Sequence, residues 1–164
     1  MSQHPSGYSS LRRGRLSIPG QPYLVTFTTR GRRPFFIDLW TCRAAVRAFT
    51  HARVMGHARL VCWVLMPDHA HLLLIPGDDG TLASVVQRIK ATVTRNIREL
   101  YNAPGFAWAA GFHDRAIRSD ESVRAVARYV IANPVRAGLV DDVGQYPHWD
   151  AEWLAVPGTP PLPD

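Results

Sequence analysis

"VCWVLMPDHAHLLLIPG", Val61 to Gly77, holds two apolar runs on either side of a Met-Pro-Asp break. Each run is rich in β-branched and aliphatic residues and short enough to be a strand. "HARLVCWVLM" reads as one strand, "PDH" as a tight turn and "AHLLLIP" as the strand returning. A hairpin makes its strands antiparallel neighbours, which excludes a purely parallel sheet. Side chains alternate across a strand, so His69 and His71 aim to one face while Ala70, Leu72 and Leu74 aim to the other.

Working outward, "YLVTFTTR", Tyr23 to Arg30, reads as a further strand, and "GRRP" as a loop. Asp38 caps a helix expected to reach about Val54, with Gly56 as its stop. The apolar stripe of that helix is Leu39, Cys42, Ala45, Val46 and Phe49. Thr81 caps a second helix to about Leu100, with Leu82, Val85, Val86, Ile89, Val93, Ile97 and Leu100 as its stripe. "FAWAAGFHDRAIR", Phe106 to Arg118, alternates as a strand would. Ser119 or Asp120 caps a third helix carrying Val123, Val126, Tyr129 and Val130, and Pro134 ends it. From Tyr146 onward the chain reads as irregular structure rich in Trp and Pro. This order fits an α+β fold, a ferredoxin-like antiparallel sheet with helices on one face. The expected organisation is a basic arm over 1–20, one domain over 21–150 and a Pro-rich tail over 151–164.

The 164 residues suffice for one domain with a real core. No run approaches membrane-spanning length. The N-terminal "MSQHPSGYSS" has no apolar stretch of the signal-peptide kind, so the expectation is a soluble, cytoplasmic protein. Cys42 and Cys62 stand far apart without CxxC spacing, which argues against a disulfide framework or zinc knuckle and for two small buried side chains. The net charge is +6, and all but Lys90 of the 19 basic residues are arginine. Arg12, Arg13, Arg15, Arg30, Arg32 and Arg33 all precede the first acidic residue, Asp38. An acid-free basic segment suits an anionic polymer, and equally a solvated tail.

Two imidazoles side by side suit a divalent metal, and equally two hydrogen-bonded histidines at a sheet edge. A metal needs a third ligand. Tyr129 and Asn133 are four residues apart, hence neighbours on one helical face. The Asn133 amide oxygen is a hard donor suited to Mg²⁺ or Mn²⁺, and the Tyr129 hydroxyl is a nucleophile once its proton is removed. Read blandly, Tyr129 is a core aromatic and Asn133 a helix-ending residue. Trp63, Trp108 and Phe112 are candidates for base stacking or for the core. Asp114 either orients a ligand histidine or pairs with Arg115.

At these residues the chain resembles a known superfamily. "WVLMPDHAHLLL" is similar to the HUH signature, histidine-hydrophobe-histidine, of single-strand transposases of the insertion-sequence type. "ARYVIANPVRAGLV" resembles the tyrosine segment of that superfamily, in the wording of the REP-associated tyrosine transposases. "LRRGRLSIPGQPYLVTFTTRGRRPFF" and "FAWAAGFHDRAIR" look like the same branch, so the likeness runs from Leu11 to Trp149. The hydrophobe between the histidines is Ala70, smaller than usual.

The resemblance implies a ferredoxin-like fold with the metal on the central sheet, held by His69, His71 and Asn133, and Tyr129 as the single nucleophile. It implies cleavage of single-stranded DNA beside a hairpin, with a 5′-phosphotyrosine bond and a free 3′-hydroxyl, in a monomer or a homodimer. The basic arm would hold DNA phosphates. The rival from another class is a non-catalytic hairpin-binding module on the same fold. A small-molecule hydrolase built on the histidine pair leaves the basic arm without a purpose.

Overall fold

The computed structural model describes residues 17–101 and 105–154. Five strands form one antiparallel sheet: β1 (Tyr23–Thr28), β2 (Arg59–Met66), β3 (His69–Ile75), β4 (His113–Ala116) and β5 (Trp149–Ala151). The spatial order is β4-β1-β3-β2-β5. The first four of these keep the 4-1-3-2 arrangement of a ferredoxin-like sheet, and β5 extends it on the β2 side. The expected α+β class therefore holds.

The helices cover both faces, not one. On the first face lie α1 (Leu39–Phe49), the short α2 (Ala52–Met55) and α3 (Leu82–Tyr101). Their buried residues join Val25, Phe27, Trp63, Leu65, Ala70, Leu72 and Leu74 in one core. On the second face, Val126, Ala127 and Val130 of α4 (Val123–Ile131) pack with Val64, Met66, Leu73 and Ala151. A sheet with alternating apolar residues on both sides has two faces to bury, and one layer of helices cannot serve both. Val61 and Cys62 both join the second core because the β2–β3 register shifts between Leu60 and Cys62. Such a bulge lets two successive residues turn to one side.

Asp38 caps α1 as expected, its Oδ1 accepting from the Trp40 and Thr41 amides at 2.9 and 3.0 Å. The helix stops at Phe49, however, and His51 starts a new turn by capping Arg53. Leu39 lies 55 % exposed at the first turn, and Thr41, Ala44 and Ala48 take places on the buried face. In α3 the expected stripe is buried except Leu100, in the last turn beyond the sheet. Gly77 after β3 lies so near the His57 carbonyl that a Cβ there would meet its oxygen at 2.5 Å.

The expected strand over 106–118 shrinks to β4. Phe106 to Phe112 form a loop, tied down where Lys90 Nζ donates to the Ala109 and Gly111 carbonyls, 2.8 Å each. Ser122, not Ser119 or Asp120, caps α4 by accepting from the Ala125 amide. Glu121 instead accepts from Arg115 and from the Arg118 amide. Pro134 does not end the helical segment: the chain bends at Ala132 and Pro134 opens a four-residue helix, α5 (Asn133–Arg136). Proline suits such a start, where its missing N–H has no partner to lose. The C-terminal stretch is less irregular than expected. Tyr146 Oη donates to the Leu65 carbonyl at 2.7 Å, and β5 then pairs with β2. At the other end, Ser17 Oγ accepts from the Leu82 amide and Gly20 donates to the Pro76 carbonyl.

Candidate active site on the histidine face

The β1–β3 register places Thr26 opposite His71 and Thr28 opposite His69. The two imidazoles therefore rise from the second face, which α4 partly covers. Their rings stand 4.8 Å apart between centroids and nearly perpendicular.

Each ring is held through Nδ1. His69 Nδ1–H donates to Asp68 Oδ1 at 2.5 Å. His71 Nδ1 and Thr26 Oγ1 share a hydrogen bond of 2.8 Å. Among the described residues neither Nε2 atom has a partner. An imidazole fixed through one nitrogen presents the other as a directed lone pair. Burial pushes His71 down to about 4, helped by the charges of His69, Arg32 and Arg136. It is neutral near pH 7 and able to donate that pair.

The 30–33 loop closes over the turn between β2 and β3. Thr29 Oγ1 donates to the Arg33 and Asp68 carbonyls, and the Phe35 and Phe36 amides donate to the Pro67 carbonyl. Arg32, at a positive φ of 56°, sends its guanidinium to Asp68 Oδ2 at 2.9 Å. Asp68 thus joins Arg32 to His69. Arg30 and Arg33 are exposed. The expected DNA-binding residues Arg12, Arg13 and Arg15 lie outside the described residues.

Tyr129 is not a core aromatic, being 53 % exposed on α4. The Arg136 guanidinium lies 3.9 Å over its ring. That same arginine contributes to the depression of His71. Arg136 thus touches the phenol ring and its charge is felt at His71. Asn133 spends its amide nitrogen on the Tyr129 and Val130 carbonyls, at 3.3 and 2.7 Å, so its Oδ1 is the end left for a ligand.

Asp114 does not join this group. It pairs in register with Val25, whose side chain fills the opposite core, so alternation puts Asp114 on the far face of the sheet. His113, in register with Thr26, is the β4 residue on the histidine face. Trp63 and Trp108 are buried, which leaves Phe112 as the half-buried member of the three stacking candidates.

Three residues that hold the site were not singled out for it in the sequence. Asp68 was signalled by adjacency to His69, whereas the place of Arg136 depends on the helix restarting at Asn133. Thr26 had no local signal, because its contact depends on how distant strands pair.

Among the described residues no group of three or more His, Cys, Asp or Glu side chains is placed to hold a metal. An ion on the two Nε2 atoms would complete its shell with oxygen, and the amide of Asn133 is of that kind. The donor set fits a hard divalent cation that also takes imidazole, as Mg²⁺ or Mn²⁺ sites do. No helix among the described residues is long and apolar enough to cross a membrane.

Residues 20–133 match the family model "Transposase IS200 like". The chain is 31 % identical over 146 residues to a REP-associated tyrosine transposase of Escherichia coli K12, covering 81 % of this chain and 78 % of that protein. It is 30 % identical over 95 residues to a Haemophilus influenzae protein classed with the same transposases. That match spans 51 % of this chain and about half of the relative, 53 %. In fold it is similar to a REP-associated tyrosine transposase solved bound to a REP hairpin, with a TM-score of 0.64 and 23 % identity. That likeness covers 91 % of this chain and 82 % of the other.

Proposed function

The chain belongs to the Transposase IS200 like family, among its REP-associated tyrosine transposases, and from that premise we propose that it nicks and rejoins single-stranded DNA beside a hairpin, with Tyr129 as nucleophile. The observation that carries this reading is the position of Arg136. It covers the Tyr129 ring at 3.9 Å and its charge acts on His71, which supports a reading in which phenol and imidazoles work together. The hairpin as substrate is suggested by the REP hairpin bound to the structural relative.

His69, His71 and Asn133 would hold a divalent ion, Mg²⁺ or Mn²⁺. Bound there, such an ion neutralises charge on the scissile phosphate and polarises its phosphorus. Asp68 and Thr26 keep the two rings aimed, so little reorganisation is needed when the phosphate arrives. Arg32 and Arg136 add positive charge beside His71 that attracts the DNA backbone.

Tyr129 then attacks phosphorus in line. The bond between its oxygen and phosphorus forms, and the bond to the 3′-oxygen breaks. The phenol proton passes to water, which reaches this exposed residue, and the leaving 3′-oxygen takes up a proton. One phosphodiester replaces another, so a 3′-hydroxyl can reverse the step and join strands without ATP.

The test is a labelled hairpin with a single-stranded flank, incubated with the protein and Mn²⁺. A covalent protein–DNA adduct is expected from the unaltered chain and none from Tyr129→Phe, while hairpin binding stays within about twofold. Nicking by the Phe variant overturns the nucleophile assignment. Cleavage undiminished in EDTA overturns the metal role. Binding without any adduct in the unaltered chain leaves the non-catalytic module.

A further inference from the structure

The sheet face away from the histidines is covered by α1 and α3, and the outer side of α3 carries two concavities that the nicking site does not use. One is a groove of about 980 Å³ between α1 and α3, crossed by Arg43, Arg47, Arg53, Arg88 and Arg95. The acid on its wall, Glu99, is 4.0 Å from Arg95. Among the described residues Arg43, Arg47 and Arg53 have no carboxylate partner. Arg43 and Arg47 are one helical turn apart on α1 and line the groove together.

The other concavity, about 700 Å³, lies between α3 and the 105–112 loop. Phe106, Trp108 and Phe112 form its aromatic side, and Gln87, Thr94 and Arg98 lie on the α3 side. The Trp108 indole N–H is buried and has no acceptor among the described residues. A buried donor without a partner is an expensive state in a folded protein. The two concavities meet along α3, sharing Ala91, Arg95 and Glu99.

The loop also reaches the nicking site's end of the sheet. Ala109 N–H donates to the Thr28 carbonyl and Arg30 N–H to the Ala107 carbonyl. Thr28 is in register with His69. Lys90 fixes the loop from below through its bonds to Ala109 and Gly111.

We propose that the pocket between α3 and the 105–112 loop captures an unpaired base of single-stranded DNA, with the neighbouring arginine groove holding the phosphates that follow it. An aromatic wall offers a stacking surface, the adjacent amide and hydroxyl of Gln87 and Thr94 offer hydrogen bonds to a base edge, and arginines offer phosphate contacts. These are the needs of a nucleotide, and a purely apolar ligand would leave the arginines, Gln87 and Thr94 unused. The strand would pass from the histidine face around the sheet end at Thr28. This rests on the reading of the chain as a single-strand nuclease, but its test is a binding test.

Short single-stranded DNA carrying one 4-thiothymidine is photo-crosslinked to the full chain, and affinities are read with a fluorescent oligomer of the same length. Crosslinks are expected on residues 106–112 and α3. Phe112→Leu, which keeps an apolar filling, and Arg47→Ala in the groove should each weaken binding about tenfold, the loss of one stacked base or one phosphate contact. Trp108→Phe, which keeps an aromatic wall of smaller area, should weaken it about threefold. Crosslinks confined to the histidine face, or unchanged affinity in all three variants, overturn the proposal. Tighter binding of an RNA oligomer of the same sequence overturns the assignment to DNA. A chain that binds through this pocket yet never forms an adduct removes the nuclease reading alone, and one that forms the adduct but ignores the three variants removes the pocket alone.

Discussion

The two faces of the sheet are built to different ends. One is sealed by α1 and α3, and Phe27, Phe49, Leu65, Leu72 and Leu74 lie there almost wholly out of water. The other is covered by α4, nine residues long, and two imidazoles stand at its margin. Alternation makes this division possible within one strand: Ala70, Leu72 and Leu74 serve the sealed face while His69 and His71 serve the open one. A side chain placed this way is held by a backbone that the opposite face has already made rigid. On the histidine side, Leu73 of the same strand joins the smaller core under α4, so packing on that face continues beyond the two imidazoles.

If that division is right, changes on the two faces should separate cleanly. The largest effect belongs to Leu72→Ala, which empties a fully buried site and should cost about 2–5 kcal/mol in chemical denaturation. Any surviving folded fraction should keep its metal affinity. A loss of affinity matching the loss of stability would merge the two faces into one unit. Next is Asp68→Asn, on the open side. It removes the carboxylate that aims His69 and should lower Mn²⁺ affinity about 10- to 100-fold by calorimetry, with the melting temperature nearly unchanged. A lower melting point at constant affinity would make Asp68 a fold residue.

The smallest effect sharpens the comparison at its border. Tyr146 packs against the α4-side core and donates to the Leu65 carbonyl, and Tyr146→Phe should cost about 1 kcal/mol. Burial pushes the Tyr146 phenol up to about 12. The folded state therefore holds its proton where the unfolded chain has released it. Its contribution is fully present below about pH 10, the ordinary tyrosine value, and is lost as pH rises toward 12. Denaturation series from pH 9 to 12 should fall more steeply for the native chain than for the Phe variant.

Much of this division is legible in the residues. The hairpin, the shared direction of His69 and His71, and the α3 stripe follow from local periodicity, which survives whatever the rest of the chain does. The misreadings have a common cause in tertiary contacts. Alternation over 106–112 resembles a strand, but Lys90 ties that segment to α3 and the carbonyls that a ladder would use go to the lysine. Asp114 looked near the site along the chain, yet the β1–β4 register turns it away. The second apolar face was written into Val64, Met66 and Leu73, though nothing local told that α4 would cover it. The Tyr129 and Asn133 pair was legible from spacing alone, whereas the guanidinium over the phenol came from a helix that restarts at Asn133.

The sheet ends on one side in β4, four residues long, and on the other in β5, three residues long. Borders so short expose few free amides and carbonyls in a row, so a neighbouring molecule finds scant template for adding its own strand. The brevity of its outermost strands thereby guards the folded chain against fibrous self-association.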